Sequence, residues 1–148
     1  MARVNGGGVV VESRTVLIVE DEQSIRDTLT ELFDVAGVSV EAVGTLGAAQ
    51  RSLRGRAFDL IVTDIRLGGK RDGGLQVMAA AGLLSPDAAV IGLTAYPDDD
   101  NRHASQRLGA THFLEKPVDL SVIAGLAARY GVPTAMLRAS DEEADTSR

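Results

Sequence analysis

The sequence contains no cysteine and no tryptophan. Without cysteine there is no disulfide framework, no thiolate nucleophile and no cysteine-based zinc site. Aromatic residues make up only 3% of the chain, so a core must be built from Val, Leu, Ile and Ala. No apolar run approaches the roughly 18 residues that a membrane-spanning helix needs, and the N-terminus lacks a secretory signal pattern. A cytoplasmic location without membrane contact is the expectation. Basic residues are outnumbered, 15 Lys and Arg against 21 Asp and Glu, leaving a net charge of −6. Nucleic-acid binding wants a basic face. No Lys/Arg-rich run or basic-aromatic interleaving supplies one, so direct nucleic-acid contact is not expected.

What is present suffices for one domain. At 148 residues, 45% of them apolar, the chain can close a single core. Short β-branched runs alternate with helical periodicity. Strands are expected near residues 15–20, 38–43, 58–63, 88–93 and 111–115. Helices are expected near 23–36, 46–53, from Leu75 to Ser85, 98–108 and 118–130. In the first helix, Ile25, Leu29, Leu32, Phe33 and Ala36 fall on one face, and Gly37 supplies a stop. Five strand-helix alternations imply an α/β, doubly wound parallel sheet covered on both faces. No internal repeat is visible.

The apolar runs end on chemically suggestive residues. Val16-Leu17-Ile18-Val19 runs into Glu20-Asp21, and Leu60-Ile61-Val62-Thr63 into Asp64. Val90-Ile91-Gly92-Leu93 runs into Thr94, and Phe113-Leu114-Glu115 into Lys116-Pro117. Ligands of open α/β sheets bind at the carboxyl ends of the strands, so three acids, a hydroxyl and a lysine would converge there. One acid at a strand end is commonly a solvated loop residue; three on neighbouring strands suit Mg²⁺, a hard cation that prefers oxygen ligands. A carboxylate, a divalent cation, a lysine and a hydroxyl are the parts that phosphoryl transfer needs, and aspartate is itself a feasible nucleophile.

These segments, with Leu93-Thr94-Ala95-Tyr96 and the stretch from Leu108 to Asp119, resemble the receiver domain of bacterial two-component response regulators. The resemblance covers about residues 15 to 130. It implies a flavodoxin-like five-stranded sheet in the order 2-1-3-4-5 with five helices. It also implies that Asp64 accepts a phosphoryl group from a sensor histidine kinase or histidine phosphotransfer protein. Glu20, Asp21, Asp64 and the backbone carbonyl of Arg66 would hold Mg²⁺, with Glu20 acting through water. Thr94 and Lys116 would bind phosphoryl oxygens, Thr94 and Phe113 would act as the switch pair, and the Lys116-Pro117 bond would be cis. The chain departs from the family pattern in two places. Glu20 stands where an aspartate is usual. After Asp64, Gly68 replaces a proline, and Lys70-Arg71-Asp72-Gly73-Gly74 lengthens the loop.

The expected organisation is a flexible leader at residues 1–14, the receiver at 15–131, and an acidic, disordered tail at 132–148. The function expected is a phosphorylation-controlled signalling switch, not an enzyme in its own right, with a downstream protein partner. A homodimer could form through the face of the fourth helix, fifth strand and fifth helix, where Arg102, Arg107 and Leu114 fall. With little chain after the last helix, output is expected through protein contact or a domain outside this sequence. The competing reading is a phosphorylation-independent scaffold. A haloacid-dehalogenase-like phosphatase is weaker, because it needs a second aspartate where Arg66 stands. His103 and His112 lack metal-ligand spacing, and acids at 98–100 suit a helix start.

Overall fold

The computed structural model describes residues 4–5, 8–9 and 13–137 of the chain. Its five-stranded parallel sheet is formed by β1 (Arg14–Val19), β2 (Val38–Val43), β3 (Leu60–Asp64), β4 (Ala89–Thr94) and β5 (His112–Glu115). The strands lie in the order β2-β1-β3-β4-β5. Five helices connect or follow them: α1 (Gln23–Phe33), α2 (Leu46–Gly55), α3 (Gly73–Leu84), α4 (Asp99–Arg107) and α5 (Leu120–Arg129). This is the doubly wound sheet that the alternation implies, with the reversal of strand order at β1. A separate antiparallel pair, Val4–Asn5 with Gly8–Val9, precedes it.

Strand alternation divides the core in two. Val16 and Ile18 face one side of the sheet with Leu60, Val62, Ile91 and Leu93, against Leu29, Leu32 and Phe33 of α1 and Ile123, Ala124 and Ala127 of α5. Leu17 and Val19 face the other side with Ile61 and Val90, against Ala49 and Leu53 of α2 and Val77, Met78 and Ala81 of α3. Both faces of β1, β3 and β4 are covered, which is why these strands read as nearly continuous apolar runs. The edge strands β2 and β5 are only half-buried.

Several element ends differ from the sequence pattern. α1 stops at Phe33, before Ala36, because a turn takes over in which the Val35 N–H bonds the Phe33 carbonyl and the Val38 N–H the Val35 carbonyl. α4 and α5 start one and two residues later than their patterns suggest, at Asp99 and Leu120, because the preceding Asp98 and Asp119 serve as N-caps. Their carboxylates accept the Asn101 and Ser121 N–H groups, which would otherwise lack partners. Beyond α5 the chain stays packed past residue 131. Val132 and Thr134 are buried, and the Ala135 N–H bonds the Leu32 carbonyl. Most of the expected leader, and residues 138–148 of the expected tail, lie outside the described residues.

Candidate functional site

The register aligns the strand ends. Val19 pairs with Thr63, Asp64 with Leu93, and Thr94 with Glu115. Glu20, Asp64, Thr94 and Lys116 therefore lie at or just past the carboxyl ends of four adjacent strands. Asp64 closes β3, the fully buried central strand, and is itself only 6% exposed.

Glu20, Asp21 and Asp64 can place one carboxylate oxygen each within 4.8 Å of one another. Glu20 is 1% exposed while Asp21 faces solvent. Lys116 joins two of the three: its Nζ donates to Glu20 Oε1 at 2.8 Å and to Asp64 Oδ2 at 3.1 Å. The second oxygen of Glu20 accepts the Glu22 N–H at 3.0 Å. The longer acid therefore reaches the lysine and folds back on its own loop at once.

The pocket holds more negative charge than one lysine offsets. Burial pushes the Asp64 carboxyl up from 3.8 to about 6 and the Glu20 charge adds to the rise, while Lys116 works the other way. Burial alone would lower the Lys116 ammonium, but the hydrogen bond and charge of Glu20, with those of Asp64, raise it above its ordinary value. The two shifts are compatible: Lys116 gains two anionic partners, whereas Asp64 gains one cation and two like charges. With three acids around one lysine the pocket is net negative.

The remaining expected residues surround this centre. Thr94 is buried, and its hydroxyl oxygen accepts the Tyr96 N–H at 3.1 Å. Its carbonyl accepts the Lys116 N–H at 2.7 Å, tying the lysine's backbone to the end of β4. The Lys116-Pro117 bond is cis. Arg66 is exposed, with its guanidinium 4.9 Å from the centre of the Tyr96 ring. Phe113 is half-buried beside the core cluster of α2 and α3, with the Arg102 guanidinium 5.3 Å from its ring centre. His112 sits away from the acids and bonds the Tyr130 hydroxyl through Nε2 at 3.1 Å.

The lengthened loop after Asp64 is a tight hairpin. Leu67 and Lys70 exchange both backbone hydrogen bonds, at 3.0 and 2.8 Å, around Gly68 and Gly69. These two residues have φ of 55° and 78°, the left-handed conformation of a two-residue hairpin turn. Buried Leu67 anchors it. The Gly68 N–H donates to Asp21 Oδ2 at 3.0 Å, so the loop orients the exposed acid. A proline at 68 could not make that bond. Where α3 begins, a Cβ on Gly74 would lie 1.9 Å from the Asp64 carbonyl oxygen. Only glycine lets the helix start that close to the phosphoacceptor candidate. The Gly-Gly pairs were visible in the sequence, but not the backbone bond to Asp21.

A doubly wound sheet whose carboxyl edge gathers acids around a lysine defines a signalling receiver module. The chain belongs to the response regulator receiver domain family, whose model matches residues 16–127. It is 30% identical over 117 residues to the response regulator protein FleR of Pseudomonas aeruginosa, covering 79% of this chain and 24% of FleR. It is 32% identical over 111 residues to the photosynthetic apparatus regulatory protein RegA of Rhodobacter capsulatus, covering 74% of this chain and 59% of RegA. Thus the chain spans about a quarter of one relative and under two thirds of the other. Among solved structures it is similar to a Burkholderia pseudomallei response regulator with a phosphorylated aspartic acid, calcium ion and citrate. That match has 25% identity and a TM-score of 0.69, covering 91% of this chain and 72% of that one. Among the described residues, no helix is long and apolar enough to cross a membrane.

Proposed function

We propose that this domain is a phosphorylation-controlled signalling switch in which Asp64 accepts a phosphoryl group from a histidine kinase or histidine phosphotransfer protein. The observation that carries the reading is the position of Lys116, bonded to both Glu20 and Asp64 beside a cluster of three acids. The phosphorylated aspartic acid and calcium ion of the Burkholderia protein support it.

The donor set is all carboxylate, which fits a hard divalent cation such as Mg²⁺. Both oxygens of Glu20 already accept hydrogen bonds, so Asp21 and Asp64 would ligate directly and Glu20 through water, with the Arg66 carbonyl completing the protein ligands. When bound, Mg²⁺ supplies positive charge that offsets the acids and the incoming phosphoryl oxygens.

An oxygen of the Asp64 carboxylate attacks phosphorus, the bond from phosphorus to the donor imidazole nitrogen breaks, and its electron pair stays on the ring. In the second half of the cycle water attacks phosphorus, the phosphorus–oxygen bond to Asp64 breaks with its electron pair restoring the carboxylate, and inorganic phosphate leaves carrying the protons of the water. Lys116 exchanges its bond to Asp64 for one to a phosphoryl oxygen. The Thr94 hydroxyl donates its proton to another, and Phe113 turns inward as Thr94 moves. The phosphoryl group adds charge and strong acceptors and biases a two-state equilibrium. Its readout is the face of α4, β5 and α5, where Arg102, Arg107 and Leu114 would meet a downstream protein or a second copy. We place this activity in the cytoplasm.

The test is intact mass after incubation with Mg²⁺ and acetyl phosphate. The wild type gains one phosphoryl group, and Asp64→Asn gains none. No gain in the wild type would favour the phosphorylation-independent scaffold.

A further inference from the structure

Glu20 and Asp21 lie in the turn between β1 and α1, and their side chains converge on Asp64 only if that turn keeps its shape. Side-chain bonds hold part of it: Glu20 to Lys116 and to its own loop, Asp21 to Gly68. The backbone of the turn is held from behind by Arg26, a half-buried residue on the first turn of α1. Its Nη1 donates to the Glu20 carbonyl at 2.8 Å and to the Asp21 carbonyl at 3.4 Å. One guanidinium nitrogen therefore bridges the carbonyls of the two consecutive acids.

Space for the guanidinium comes from a glycine on another element. Gly44 follows β2, and a Cβ built there would lie 2.9 Å from Arg26 Nη1 and 3.6 Å from the Glu20 carbonyl oxygen. The Glu20 N–H in turn bonds the Val43 carbonyl at 3.0 Å. The end of β2 thus fixes the acid pair from one side and leaves a slot for the arginine on the other.

We propose that Arg26 is a positioning residue for the divalent-cation site, and that Gly44 is the slot that admits it. The inference rests on the reading of Glu20, Asp21 and Asp64 as that site. Arg26 touches neither the cation nor the phosphoryl group. It fixes the peptide units that carry two of the carboxylates, so their approach is paid for during folding rather than on binding. Its charge opposes this role: a cation beside an acidic pocket weakens the attraction for a second one. Removing a purely electrostatic Arg26 would tighten Mg²⁺ binding, whereas removing a positioning Arg26 loosens it.

The experiment titrates Mg²⁺ alone into the full chain by calorimetry, for the wild type, Arg26→Gln, Arg26→Lys and Gly44→Ala, with thermal melts to confirm folding. Partners that orient metal ligands are typically worth about 10- to 100-fold in affinity. Arg26→Gln is expected to weaken Mg²⁺ about tenfold. Arg26→Lys, which keeps the charge and one donor, falls between it and the wild type. Gly44→Ala, which keeps Arg26 but crowds its slot, shifts affinity in the same direction as Arg26→Gln and decides the matter if that variant does not fold. Wild-type binding with unchanged or tighter binding by folded variants overturns the role of Arg26 alone. Absence of wild-type binding overturns the cation-site reading and this inference with it.

Discussion

Ionising Asp64 is harder in the folded chain than in the unfolded one, and Asp64→Asn should expose that cost. Its carboxyl is raised from 3.8 to about 6, chiefly by burial and then by Glu20. A folded-state value above the unfolded one means that the native state binds the proton more tightly. The associated stability is fully present below about pH 4 and is lost as pH rises through about 6. At about 1.4 kcal/mol per tenfold change in proton affinity, the ionised carboxylate costs at most about 3 kcal/mol at neutral pH. Solvent screening of a carboxyl at the mouth of the pocket reduces this to about 1–2 kcal/mol. Asp64→Asn, isosteric and neutral, should therefore be the more stable protein at pH 7.5 without divalent ions. At about 2–4 °C per kcal/mol for a chain of this size, the melting temperature rises by about 4 °C. The gain should shrink steadily as pH falls from 6 to 4. Thermal melts followed by circular dichroism in chelator, at four or five pH values, would measure it. An Asn variant no more stable than the wild type, or a gain constant with pH, would refute the electrostatic account of the pocket.

Other perturbations probe the same construction. Lys116→Met removes the cation between Glu20 and Asp64, leaving buried charge without a partner, and should destabilise the domain by about 2–3 kcal/mol in urea denaturation at pH 7.5. Gly74→Ala forces a Cβ against the Asp64 carbonyl, and should cost about 2 kcal/mol or more by the same assay. Gly69→Val strains a residue at φ 78° and should cost about 1–2 kcal/mol while weakening Mg²⁺ binding, because the turn that presents Gly68 to Asp21 is lost. Mg²⁺ at ten times its dissociation constant should stabilise the wild type by about 1.4 kcal/mol in a thermal shift, and Asp64→Asn much less.

The sequence was most informative where side-chain character follows from position. Val16 to Val19, Leu60 to Thr63 and Val90 to Leu93 are apolar because both sheet faces are covered. Their final residues are polar because the strand ends open onto the crevice. That pattern alone brings Glu20, Asp64 and Lys116 to one edge of the sheet. It could not show what depends on the backbone. The Arg26 bonds to two carbonyls and the Gly68 N–H on Asp21 involve groups that every residue carries, so they leave no compositional trace. The turn after Phe33 likewise depends on main-chain bonds that helical periodicity does not report. Val132 to Leu137 lack strand or helix periodicity yet pack on α1 and the core, because burial there comes from single residues and not from a repeating face.

The central claim is that Asp64 carries the phosphoryl group. Borohydride reduces an aspartyl phosphate to homoserine, so trapping after incubation with Mg²⁺ and acetyl phosphate, followed by peptide sequencing in the mass spectrometer, locates the modified residue. The account predicts homoserine at position 64 and at no other acid, dependent on Mg²⁺ and abolished by Lys116→Met. Modification at Glu20 or Asp21, or none at all in protein that binds Mg²⁺, would contradict it.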